Sequence, residues 1–401
     1  MPFHLQYQKS LLLGILLLDI LFLYWYGMGL SISKYEANIF FFDSGALHYL
    51  LHFSSQIFGQ NDFSLRLPFL LLHAVNAVLL FLISRKLVRK KVDLYGVILL
   101  FLLLPGSNSA AMVVNQAAPI ICLTLIYIYI SQRWIQLLVP SLILLAFLDN
   151  AFMMLIVASL VYAIVSKYRL LIASSLIALV INLYLFGVDI ELKNEGYFLD
   201  IFTTYAVVFS PFVFLFFIYT LYHFWIKKRD EIELLWFVAA ISLLVSLLLS
   251  LKQNISLEEI APFALIGTPL MVINFLNSYR IRLKAFRVRY KMVASLIITT
   301  LLINTVVLFF NKPLYLLLES PDQHFAYENH FTKGLVTELK ARGITGVLCD
   351  NSDLQLKLQF YGIGKDEKVQ LFKGKSEKQD ENIELKLYNR VIEKFYLRVV
   401  S

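Results

Sequence analysis

Between Ser31 and Pro68 the chain reads SISKYEANIFFFDSGALHYLLHFSSQIFGQNDFSLRLP, which gathers Glu36, Asp43, His48, His52, Asp62 and Arg66 between two long apolar runs. These residue types suit proton transfer beside a charged leaving group. A carboxylate near a hydroxyl can act as general base, and a nearby cation can steady a departing phosphate. Glu36 and Asp43 are seven positions apart, about two helical turns, so a helix would set both on one face with Phe40 between them. His48 and His52 have the i, i+4 spacing of a helical metal pair, which leaves a divalent metal open. Histidines that bond to head groups or to their neighbours give the same spacing. Arg66 suits either a lipid phosphate or an interfacial anchor whose head reaches for water.

The elements that must hold these groups are membrane helices. Of 401 residues, 59% are hydrophobic and 16% charged, and the mean hydropathy is +0.71. That composition excludes an ordinary soluble domain and points to a polytopic α-helical membrane protein. Apolar runs stand at about 10–28, 66–84, 92–106, 115–131, 134–149, 151–166, 169–188, 200–226, 233–251, 260–277 and 292–311, eleven in all. The net charge of +8 does not indicate nucleic acid, because the basic residues sit in short loops between these runs. With the N-terminus inside, eighteen Lys and Arg fall on one side and four on the other. This is the positive-inside pattern, and it expects an inner-membrane protein whose first loop, 29–65, and C-terminal segment share the outer face.

Two domains are expected: a transmembrane domain over 1–311 and a small extracytoplasmic α/β domain over 312–401. In the latter the pattern predicts a helix over 328–342 stopped by Gly343, and a strand over 344–349. A helix over 352–361 follows, then strands at 369–372 and 384–388. The charged stretch 373–382 reads as a solvated loop.

Further polar groups lie at the outer ends of the runs: Asn115 and Gln116, Asp149 and Asn150, Lys193 and Glu195, and Lys252. In a bundle they would converge with the first loop, although polar helix ends are also ordinary. Asp19, mid-span in the first run, must be neutralised, paired or hydrated, because a lone carboxylate there costs several kcal/mol. No P-loop, nucleophile elbow or dinucleotide fingerprint occurs, so no nucleotide or nicotinamide cofactor is expected.

The succession Tyr35-Glu36-Ala37, Phe42-Asp43-Ser44-Gly45-Ala46-Leu47, Phe58-Gly59 and Arg66-Leu67-Pro68 resembles the first outer loop of the integral-membrane GT-C glycosyltransferases. The likeness is to the bacterial branch related to protein O-mannosyltransferases and lipid A aminoarabinose transferases. Arg85-Lys86-Leu87, the many spans and the C-terminal α/β domain match as well. Tyr35 stands where those relatives carry an aspartate, and Gly45-Ala46 replaces paired prolines. The resemblance implies inverting transfer of a sugar from a polyprenyl-phosphate donor to a glycan, lipid or protein acceptor at the outer face, among membrane lipids. It implies Glu36 as first choice for the base and Asp43 as second. His48, Arg66, Asn115, Gln116, Asp149 and Lys252 become candidates for substrate binding, Arg66 and Lys252 at the phosphate. A transporter or flippase of lipid-linked saccharides is the alternative, and a noncatalytic scaffold of the same fold is another. The transporter would show internal repeats and ionisable groups at mid-membrane, whereas the enzyme needs its acids at the outer mouth.

Overall fold

The computed structural model describes residues 2–88, 90–187, 196–227, 233–373, 381–388 and 390–399. Lys193, Glu195 and most of the charged stretch 373–382 lie outside the described residues. The chain is mostly helical, with a small sheet near its C-terminus, and divides into two compact units. One comprises Met1–Ile20, Leu71–Ala111 and Asn115–Thr305; the other comprises Leu21–Leu70, Met112–Val114 and Val306–Ser401.

The first loop is largely helical. After α1 (Pro2–Gly27) come α2 (Lys34–Phe41), α3 (Ala46–Phe58) and α4 (Asp62–Leu87). Apolar helices follow as α5 (Asp93–Leu103), α6 (Pro105–Met112), α7 (Ala117–Arg133), α8 (Ile135–Ala146), α9 (Met153–Val165) and α10 (Arg169–Phe186). The series ends with α11 (Phe198–Phe209), α12 (Pro211–Lys227), α13 (Leu234–Leu249), α14 (Leu257–Leu265), α15 (Thr268–Ile281) and α16 (Lys284–Phe309). Every one of the eleven apolar runs falls on one or two of these helices. This is a multi-pass membrane protein. By length and composition five spans qualify among the described residues, or seven if two bent pairs each count as one.

The bends have local causes. The run over 200–226, expected as one span, breaks at Ser210 and turns by 101°. Pro211 cannot donate to the turn before it, and Ser210 takes a φ of +75°, a conformation that ends a helix. Between α5 and α6 the axis turns by 61°, again at a proline, Pro105. Between α8 and α9 the Asp149 carboxylate accepts the Ala151 N–H at 2.9 Å and caps a short 3₁₀ turn.

One partly buried histidine–aspartate contact supports the membrane unit from within. His73 on α4 meets Asp19 on α1 at 3.1 Å, and the His73 ring stacks on Phe101 with centroids 5.5 Å apart. The Asp19 carboxylate is thus paired.

After three short 3₁₀ turns, the C-terminal part of the second unit adds α17 (Thr332–Ala341), β1 (Leu348–Cys349), α18 (Ser352–Phe360), β2 (Val369–Phe372), β3 (Glu381–Leu387) and β4 (Arg390–Val399). The sheet order is β1-β2-β4-β3, with β1 parallel to β2 and the other pairs antiparallel. Leu335, Leu339, Leu354, Leu358, Leu371 and Phe395 form its core with neighbouring apolar residues. Gly343 ends α17 with a φ of +73°, which a side chain would resist. The helix is shorter than the 328–342 expected because its first turn is 3₁₀ and separate, at Tyr327–Asn329. β4 was not foreseen from the sequence.

Candidate active site

α2 starts with a capping box. The Ser33 hydroxyl accepts the Glu36 N–H at 3.2 Å, and Glu36 Oε2 accepts the Ser33 N–H at 2.8 Å. Two donors that the helix would leave unmet are satisfied by this reciprocal exchange. Glu36 Oε1 accepts the Val114 N–H at 2.9 Å and lies 2.5 Å from Arg66 Nη1, while Arg66 also donates to the Met112 carbonyl. Glu36 is 0% and Arg66 2% exposed. Glu36 therefore spends both oxygens on protein donors, and neither group of this pair faces solvent. A base must present a free lone pair to the hydroxyl it deprotonates. The arrangement suits a tie between the first loop, the start of α4 and residues 112–114 rather than the base role expected of Glu36. It likewise withholds Arg66 from a phosphate.

Asp43 is placed differently. It follows α2 at an exposed turn, and its Oδ1 accepts the Ser44 and Gly45 N–H groups at 2.8 and 3.0 Å. Oδ2 makes no hydrogen bond among the described residues. A Cβ on Gly45 would stand 3.1 Å from that Oδ2, so glycine lets the carboxylate fold over the start of α3.

α3 carries an exposed stripe, Tyr49, Phe53 and Ile57, opposite the buried Leu47, Leu51 and Ser54. Such a helix suits a bilayer interface. His48 and His52 lie on one face of it, but each spends a ring nitrogen on a carbonyl of α2: His48 Nδ1 on Ile39 at 3.0 Å, His52 Nε2 on Phe40 at 2.8 Å. His52 also stacks on Phe40 with centroids 4.6 Å apart. Among the described residues no cluster of three His, Cys, Asp or Glu could hold a metal. These histidines act as struts between α2 and α3.

The same unit knits the loop to the C-terminal domain. The Tyr361 hydroxyl donates to Asp62 at 2.8 Å and accepts the Ile32 N–H at 2.9 Å. Lys333 pairs with the other oxygen of Asp62 at 3.0 Å and donates to the Met28 carbonyl at 2.6 Å. Burial pulls the Lys333 ammonium below its ordinary pKa, and Asp62 opposes that shift. Gln60 donates to the Phe360 carbonyl at 2.7 Å.

The remaining sequence candidates belong to the membrane unit. Asn115 Oδ1 accepts the Ala117 N–H at 2.9 Å at the start of α7, and Gln116 Oε1 is buried without a hydrogen bond. Asp149 caps its turn, and Lys252 is exposed between α13 and α14 with no ion pair among the described residues. Sequence reading missed His73, whose only signal was a histidine inside an apolar run.

With its first-loop helices, bent apolar helices and C-terminal mixed sheet, the chain shares a fold with a solved membrane-protein structure. The solved structure of ArnT from Cupriavidus metallidurans in the apo state is similar over 97% of this chain and 97% of its own, with a TM-score of 0.54 and 10% identity. The family model described as dolichyl-phosphate-mannose-protein mannosyltransferase matches residues 46–214. No curated protein matches the chain in sequence. The family match covers less than half of the chain, and the structural likeness is one of fold.

Proposed function

We propose that the protein transfers a sugar from a polyprenyl-phosphate donor to an acceptor hydroxyl at the outer face of the inner membrane, with inversion at the anomeric carbon. Asp43 is the base. Its free Oδ2 takes the proton as the acceptor oxygen bonds to the anomeric carbon, and the bond from that carbon to the phosphate oxygen breaks with its electrons on the leaving phosphate. His48 holds the loop by its bond to the Ile39 carbonyl. Glu36 and Arg66 are positioning residues. The observation that carries this reading is the contrast between the two carboxylates: Glu36 is saturated and enclosed, Asp43 half-free and exposed.

The test is transfer of labelled sugar from a polyprenyl-phosphate donor in reconstituted vesicles, with the amount of folded protein normalised. Asp43→Asn is expected to lose roughly 10²–10⁴-fold in rate while unfolding like the unsubstituted protein. Full activity in Asp43→Asn would remove Asp43 from the chemistry. Absence of transfer by the unsubstituted protein with every donor and acceptor offered would favour the noncatalytic scaffold, the reading that Tyr35 in place of an aspartate motivates.

A further inference from the structure

A cavity of about 410 Å³ opens on the second unit between α2, the 3₁₀ turn before α17, α18 and β2. Three lysines line it: Lys34, Lys357 and Lys373. Lys357 has a side chain only 5% exposed, and its ammonium lies 4.9 Å from the centroid of Phe331. The carboxylate paired with it, Glu328, stands at 3.8 Å, beyond hydrogen-bond length, and Nζ makes no hydrogen bond among the described residues. Glu328 is already shared: it pairs with the Lys34 ammonium at 3.5 Å and accepts the Lys34 N–H at 3.4 Å. Lys373 Nζ lies 5.3 Å from the same Phe331 ring and is held by Glu393 at 2.6 Å. Two ammoniums thus flank one ring, and one of them is buried without a full partner, an arrangement that costs stability unless an anion completes it. Burial, then the charge of Lys357, draws Lys373 below its ordinary pKa, which agrees with this crowding.

We propose that this cavity binds the acid group of a saccharide, a uronate, between Lys357 and Lys373. The rest of the lining favours a sugar over a bare anion. Asp350, Asn351 and Asp353 can accept hydroxyl hydrogen bonds, while their carboxylates disfavour a dense dianion such as phosphate. The half-buried rings of Tyr327 and Phe372 offer apolar faces to the C–H side of a pyranose. That the bound glycan is the acceptor of the transfer rests on the reading above; the binding itself does not.

The experiment uses the full chain in nanodiscs of zwitterionic lipid and calorimetric titration. The probes are a glucuronate-containing disaccharide, its carboxyl-reduced neutral counterpart and inorganic phosphate. The acidic disaccharide is expected to bind at least about tenfold more tightly than the neutral one, the scale of a hydrogen bond to a charged group. Lys357→Met keeps the buried volume without the charge, and Lys373→Gln changes a side chain that is 47% exposed; each is expected to weaken binding about tenfold. Equal binding of the neutral disaccharide, phosphate binding as tight as that of the acidic sugar, or unchanged binding in both variants would overturn the proposal. Binding with the expected preference in a protein that transfers no sugar would refute the transferase reading and leave this one standing.

Discussion

Exchanging Glu36 for Gln tests whether the enclosed ion pair holds the second unit together. Gln keeps the size of the side chain but turns one of its two acceptor oxygens into an amide that donates. Of the four contacts now made to Ser33 N, Val114 N and the two terminal nitrogens of Arg66, the two on the replaced oxygen would then face a donor. Arg66, whose Nε already lacks a partner, would stay buried as an uncompensated cation. Removing one member of a buried pair costs about 3–5 kcal/mol, and Arg66→Met, which strands Glu36, is expected to cost the same. The double variant Glu36→Gln/Arg66→Met removes the charge imbalance, so it should lose less than the sum of the singles, by about 2–3 kcal/mol. Denaturant unfolding in detergent, followed by pulse proteolysis of the C-terminal domain, measures all four corners of the cycle. Additivity within about 0.5 kcal/mol, or a Glu36→Gln protein as stable as its parent, would refute the coupling inferred from the 2.5 Å contact. If Glu36→Gln is destabilised as expected, a fall in its sugar transfer reflects folding and cannot by itself name Glu36 as a base.

Topology and pH give two further tests. A reporter fused after Lys312 is expected to be active only outside the cytoplasm, as the loop charges demand; activity only inside would refute an odd number of crossings. His330, half-buried against Tyr315, is lowered to about 4 from 6.5, by burial first and then by the charges of His324 and Lys312. Between those two values the folded state binds fewer protons than the unfolded one, so stability rises with pH across that window and falls as pH drops from 6.5 toward 4. Because the ring is only partly enclosed, the loss should be some fraction of the roughly 3 kcal/mol that such a shift is worth. His330→Gln should flatten the unfolding midpoint between pH 4 and 6.5, and an unchanged slope would remove His330 as its cause.

Hydropathy alone located the apolar helices, because burial in lipid or in a bundle leaves long uninterrupted runs. It did not locate the break at Ser210, where Pro211 was the available sign. In the C-terminal domain β2 is where a short apolar strand was expected, at Val369–Phe372. β4 escaped although Phe395 and Leu397 alternate with Lys394, Tyr396 and Arg398, since its first residues are irregular in polarity. At the site, Ser33-x-x-Glu36 is a legible capping box, a local signal that competes with a base role for Glu36. The contacts that enclose Glu36 were not legible at all: the Val114 amide is 78 positions away and Arg66 is 30. A backbone donor leaves no mark in the sequence. The same holds for Asp19, whose partner was a histidine 54 positions on.

That last pair bears on how the chain is made. When α1 leaves the ribosome it carries Asp19 into the bilayer with no counter-group, a cost of about 2.5–3.5 kcal/mol on the scale of translocon insertion. His73 is synthesised only after the whole first loop and the first half of α4. The first helix must therefore wait in or beside the insertion machinery, held by its leucines, until the fourth helix enters and accepts it. Assembly of the membrane unit would then begin with a handshake between two helices separated in time, and the first loop between them sets the delay.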